Sequence, residues 1–145
     1  MTEIKIGGRT IPLFYSTLEM VDIQNEIGCT AYQLKEEVFG LRQEDEEDPT
    51  SYVFDVVKDG EKAKKLGTLI RILGNAGLEE QGEAPDLTDK WILRHMRPGL
   101  IIGYAFAAMN EITEGNRVEA PAPAEEQGPV DVTLEEEQAK KQPGN

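Results

Sequence analysis

The stretch from Leu87 to Gly115 decides the fold. It reads Leu-Thr-Asp-Lys-Trp-Ile-Leu-Arg-His-Met-Arg (87–97), then Pro98-Gly99, then Leu-Ile-Ile-Gly-Tyr-Ala-Phe-Ala-Ala-Met-Asn-Glu-Ile-Thr-Glu-Gly (100–115). The pattern predicts two helices broken at Pro98-Gly99. Asp86 or Thr88 caps the first, and Pro98 sits in the first turn of the second, where its missing amide hydrogen costs nothing. From Leu100 to Met109 the second helix is apolar on nearly every side. Such a helix must be covered all round, by its own chain or by another. Trp91, Tyr104, Phe106 and Met109 are therefore the candidate protein-binding residues, because aromatic side chains and Met are enriched at contact surfaces.

Upstream lie the elements that could cover it. Glu3 to Tyr15 reads as a β-hairpin: Ile4 and Ile6 alternate with charges, Gly7-Gly8 supplies the turn, and Ile11, Leu13 and Tyr15 alternate on the return. Pro12 restricts the second strand to an edge. Ser16-Thr-Leu-Glu19 is a capping box that opens a helix. Leu18 and Val21, and on a neighbouring face Met20, Ile23 and Ile27, form its expected apolar stripes, and Gly28 ends it. Thr30-x-x-Gln33 starts a second helix, with Ala31, Leu34 and Val38 on one stripe and Gly40 as the stop.

The run of five acids from Glu44 to Asp48 repels itself and predicts a solvated loop. Ser51 to Lys58 reads as a short extended or irregular piece. Asp59 caps a helix from about Gly60 to Leu73, striped by Leu66, Leu69, Ile70 and Leu73, with Gly74-Asn-Ala-Gly77 ending it. Beyond Gly115 the composition changes. Ala-Pro-Ala-Pro-Ala and Glu-Glu-Gln-Gly-Pro cannot bury enough surface to offset the cost of ordering, so 116–145 is expected to be a disordered acidic tail. Within it, Thr133-x-x-Glu136 could cap a short helix through Lys141.

The fold class expected is thus mainly α: a small helical domain over 1–115 with an N-terminal β-hairpin, then the tail. The net charge of −13 over 145 residues argues against nucleic acid or an anionic membrane as partner. The apolar run at 100–109 is about half the roughly 20 residues a membrane span needs. Met1-Thr-Glu-Ile-Lys-Ile lacks the apolar core of a signal peptide, and a single Cys29 fits a reducing compartment. A soluble, intracellular protein is the expectation.

Catalytic chemistry finds little footing. His95 stands between Arg94 and Arg97 with only Asp86 and Asp89 as nearby carboxylates, and the plainer reading is a histidine on a helix face. Cys29 at a helix junction reads as a small buried residue. Gly74-Asn-Ala-Gly77 lacks the Lys-Ser or Lys-Thr of a phosphate loop, and Glu44 to Asp48 lacks the spacing of a calcium loop. Lys62, Lys64, Lys65 and Arg71 read as an outer helix face. We expect no enzyme, no metal and no cofactor.

The order of elements carries a resemblance. The hairpin Ile-Gly-Gly-Arg-Thr-Ile-Pro-Leu (6–13) leads into a helix ending Glu26-Ile27-Gly28. Leu-Ile-Arg-Ile-Leu-Gly-Asn-Ala-Gly-Leu (69–78) follows, then the stretch from Pro85 to Gly99 and the apolar helix ending Asn-Glu-Ile-Thr-Glu-Gly (110–115). Over about residues 3–115 this resembles the tail assembly chaperones of long-tailed phages and prophages. Residues 41–58 and the tail do not contribute.

The resemblance implies a non-enzymatic protein of the bacterial host cytoplasm, absent from the mature virion. It implies two partners: the tape measure protein, kept soluble, and the tail tube (major tail) protein, recruited around it. A longer frameshifted product would serve the second role, and Lys140-Lys141 is compatible with a slippery run in the nucleotide sequence. Two competing readings are a head–tail connector or tail completion protein, retained in particles, and a small acidic adaptor that binds a basic surface through Glu44 to Asp48 or the tail.

Overall fold

The computed structural model describes residues 1–118. The tail expected from 116 therefore lies, beyond its first three residues, outside the described residues, as does the short helix expected from Thr133. Two strands open the chain, β1 (Thr2–Ile6) and β2 (Arg9–Leu13), paired antiparallel with Ile4 opposite Ile11. Gly7 and Gly8 both adopt positive φ, which lets two residues reverse the chain. Ile6, Ile11 and Leu13 are fully buried, so the ribbon lies on the helices, as a two-stranded sheet must.

Helix α1 (Thr17–Ile27) starts at the expected capping box. The Leu18 amide donates to Ser16 Oγ at 3.3 Å, and the Ser16 amide donates to Glu19 Oε1 at 2.9 Å. Gly28 ends the helix in the left-handed region. Only Glu19, Ile23 and Ile27 are buried on it. Leu18, Met20 and Val21 are exposed, Leu18 by 61%. The two-face expectation fails because α1 has one main packing partner, which covers a single narrow stripe.

The next segment is a 3₁₀ turn (Ala31–Gln33) and a single helical turn, α2 (Leu34–Glu37), rather than a full second helix. Strand β3 (Leu41–Gln43) then pairs antiparallel with β4 (Tyr52–Phe54), and a 3₁₀ turn follows at Asp55–Val57. The extended piece at 52–54 was expected; its partner at 41–43 was not. The acidic run forms the loop between them. Its backbone is held by its own side chains: the Glu47 amide donates to Asp45 Oδ1 and the Thr50 amide to Asp48 Oδ1, each at 3.0 Å.

Helix α3 (Gly60–Glu80) is the centre of the molecule. It packs against β2, α1, the Asp55–Val57 turn, α4 (Asp89–His95) and α5 (Ile101–Gly115). Asp59 caps it, accepting from the Glu61 amide at 3.0 Å. The helix does not stop at Gly74-Asn-Ala-Gly77. It continues to Glu80, and just beyond its end Gly82, at a positive φ of 77°, turns the chain so that Glu83 N–H donates to Leu78 O at 2.8 Å. The two interior glycines serve packing instead. A Cβ on Gly77 would overlap the Pro12 carbonyl, and one on Gly74 would come within 2.9 Å of Ile11 Cγ2. Phe14 N–H donates to Leu73 O at 3.0 Å beside this contact.

Thr88, not Asp86, caps α4, accepting from the Trp91 amide at 3.1 Å. Asp86 pairs with Arg9 at 2.8 Å. Pro98 opens the expected break as the first residue of a 3₁₀ turn, Pro98–Leu100, which feeds α5.

Candidate protein-binding groove

Helix α5 is where the question of cover is answered. Ile101, Tyr104, Ala105, Ala108 and Ile112 recur at spacings of three and four and face inward. They pack on β1, α3 and the Asp55–Val57 turn. The opposite face carries Ile102, Phe106 and, half-buried, Met109. The described residues therefore cover one side of the apolar helix. Phe106 is 50% exposed, and its ring meets that of Phe54 edge to face at a separation of 5.3 Å.

Phe106 and Met109 form one wall of a groove of about 660 Å³, together with Thr113. The facing wall comes from the Ala31–Gln33 turn and α2, through Ala31, Tyr32 and Lys35. Leu34, Phe39 and Ile112, all buried, also line it. Asn116 and Arg117, also among the lining residues, follow directly on α5. The local sequence explains the facing wall. Gln33 Oε1 accepts from the Thr30 amide at 2.8 Å, which tightens the turn. Leu34 is turned into the core, and Tyr32 is left 84% exposed.

The groove's electrostatics differ from the rest of the chain. Among the described residues no Asp or Glu lines it, and the two charges are Lys35 and Arg117. Arg117 donates to Glu114 at 2.7 Å at the rim. In a chain of net charge −13, an acid-free apolar concavity is a local exception. Behind it, Tyr15 packs against Gly115. Its hydroxyl is buried without a hydrogen-bond partner among the described residues. Burial, together with nearby Tyr32 and Glu19, raises its pKa.

Of the four residues singled out from the sequence, the structure brings together Phe106 and Met109. Tyr104 is 7% exposed and donates its hydroxyl to Lys5 O at 2.9 Å, so it joins α5 to β1 and offers no surface contact. Trp91 is half-buried on α4, stacked on His95 at 4.5 Å, and does not line the groove. Tyr32 and Lys35 were missed. The available signal was an aromatic at an interior position of the Thr30-x-x-Gln33 box, where the cap leaves no packing partner.

The other candidate chemistry resolves into structure. His95 Nδ1 lies 2.9 Å from Trp91 O. Cys29 is buried, and burial, with Glu37 adding to it, pushes its thiol pKa up, away from the reactive thiolate. Arg71 is not on an outer face: it is half-buried between α1 and α4, bonded to Glu26 and, at 2.5 Å, to Asp89. Burial works against its charge, but those hydrogen bonds and the two carboxylates outweigh it, so its pKa stands above the ordinary value. Among the described residues no cluster of three or more His, Cys, Asp or Glu could hold a metal ion, and no helix is long and apolar enough to cross a membrane. No family model, curated protein or solved structure matches the chain.

Proposed function

We propose that this protein is a non-catalytic tail assembly chaperone of a long-tailed phage or prophage. It acts in the bacterial host cytoplasm and is left out of the finished particle. Its client is the tape measure protein, and it helps bring tail tube subunits to that client. The observation that carries the proposal is the acid-free groove between α5 and the Ala31–Glu37 segment, with Tyr32 and Phe106 on its two walls. A long helical client presents apolar side chains in stripes, and a groove of this kind takes such a stripe as a helix in a cleft. The acidic remainder of the surface keeps the complex dispersed. The resemblance in the order of elements supplies the client's name.

The test is co-expression of the tape measure protein with the wild-type chain, with Phe106→Asp and with Tyr32→Asp. Tyr32 is so exposed that its substitution leaves the fold intact, and circular dichroism checks both variants. We expect the client to be soluble with the wild type and to pellet with either variant. A client kept soluble by both variants would sink the groove as the binding site. Mass spectrometry of purified particles tests the chaperone role: a chain retained in virions belongs to a connector or completion protein instead.

A further inference from the structure

The outward face of α5 extends past the groove towards the start of the helix. Ile102, Phe106 and Met109 recur on it at spacings of four and three, with Gly103 and Ala107 between them. Leu100, just before the helix, is 55% exposed and Ile102 is 40% exposed, and both lie outside the groove. A Cβ on Gly103 meets nothing within 4 Å among the described residues. The apolar patch continues onto the neighbouring elements. Phe54 meets Phe106, Tyr52 shares the Phe54 side of β4, and Val57 lies in the turn packed on α5. We propose that a second copy of the chain covers this face, in a twofold dimer that pairs the two α5 helices antiparallel.

Three observations carry this. The face is self-complementary in size. Set antiparallel with Phe106 of one copy over Gly103 of the other, the pair also brings Ile102 against Ala107 and Leu100 against Met109. Each large side chain then meets a small or flexible one, and the twofold axis makes every contact twice. The area is that of a stable contact. Phe106 and Tyr52 are 50% and 58% exposed, and a whole aromatic side chain covers about 150–250 Å², so they supply about 200 Å². Leu100, Ile102, Val57 and Met109 raise the patch to roughly 400–500 Å², the size that marks a contact surface. A standard interface takes about 800 Å² from each partner, about 57% of it apolar, which is the same amount. Charge permits the approach. Copies of a chain carrying −13 repel one another, but no charged residue occurs from Pro98 to Asn110. Phe106 and Met109 also belong to the groove, so a second copy seated here closes the groove to a client. That exclusion rests on the chaperone reading; the dimer itself does not.

The test is sedimentation velocity on the full chain from about 1 to 200 µM, a range that covers weak and moderate homodimers. We expect the wild type to pass from monomer to dimer within it, with little change between about 0.05 and 0.5 M salt, because the contact is apolar. Ile102→Asp should raise the dissociation constant at least about thirtyfold, since each dimer buries the new carboxylate twice, with the circular dichroism of the wild type. Gly103→Ala should raise it about tenfold or more by lifting the Phe106 ring of the other copy, the reverse of its favourable effect on α5 in the monomer. Leu18→Asp, on the exposed side of α1, should leave the dimer intact. The double variant Ile102→Cys/Ala107→Cys should oxidise to a covalent dimer, because positions five apart on one helix are too distant for an internal bridge. A wild type monomeric at every concentration would overturn the proposal. So would a dimer that survives Ile102→Asp, is lost with Leu18→Asp, or comes apart in high salt. No client enters these measurements, and Ile102 lies outside the groove. Failed co-expression beside an intact dimer therefore counts against the chaperone reading alone, and a monomeric wild type that keeps its client soluble counts against the dimer alone.

Discussion

Tyr104 and Phe106 stand two residues apart on one helix and have opposite fates. Tyr104 is buried with its hydroxyl on the Lys5 carbonyl, and Phe106 is half open beside the groove. Removing that hydroxyl by Tyr104→Phe should cost about 1 kcal/mol in denaturant unfolding, without touching the groove. A pH signature accompanies it. Burial raises the pKa of both Tyr15 and Tyr104 above the ordinary 10.0. The unfolded chain therefore loses these protons first as the solution becomes alkaline. Their contribution is whole below pH 10 and is lost as the pH rises through the folded-state values. Stability measured from pH 8 to 11 should fall above pH 10, and less steeply in Tyr104→Phe. The sequence could not separate these two aromatics. A helix apolar on all sides gives no periodic cue to which side its own chain covers, and that depends on β1, some 100 positions away.

At the scale of elements, the glycines of α3 and α5 make opposite predictions. Alanine normally favours a helix interior over glycine by about 0.8–1 kcal/mol. Gly103→Ala has open space around its new methyl group and should stabilise the protein by roughly that amount. Gly77→Ala would drive its methyl into the Pro12 carbonyl, a backbone atom that cannot swing aside. We expect a net loss of about 1–3 kcal/mol, read from the midpoint of chemical unfolding. Equal responses at the two sites would remove the close helix–hairpin contact. The same contact explains which elements were legible. The first hairpin and the capping box at Ser16 follow from chemistry within a few residues, and both could be read directly. Gly74 and Gly77 look like a helix stop because glycine is a poor helix former; that a strand crosses them is information held 60 residues upstream. The apolar positions of α1 were visible too, but the number of partners able to cover them was not.

For the molecule as a whole, α3 touches both ends of the described chain, the hairpin and α5, and carries the largest share of buried side chains. Among the described residues, hydrogen exchange should therefore be slowest at the amides from Leu66 to Leu78 and fastest in the acidic loop from Glu44 to Thr50. Faster exchange in α3 than in α5 would displace it from the centre. Half of the groove was within reach of the sequence, because Phe106 and Met109 share the apolar helix. The other half was not: Tyr32 and Lys35 sit on a short turn whose placement depends on the packing of Leu34 and Phe39.

The joint between the hairpin and α3 joins the buried Ile11 and Leu13 side chains to a close main-chain approach, with Pro12 O lying over Gly77 and Phe14 N–H bonded to Leu73 O. The main-chain part of that joint leaves almost no imprint on side-chain identity. During divergence every exposed residue around it could be replaced while the joint persisted, provided position 77 stayed glycine. Kinship among chains built this way would then survive as a preserved interval between a strand proline and a helix glycine, long after their side chains had ceased to match.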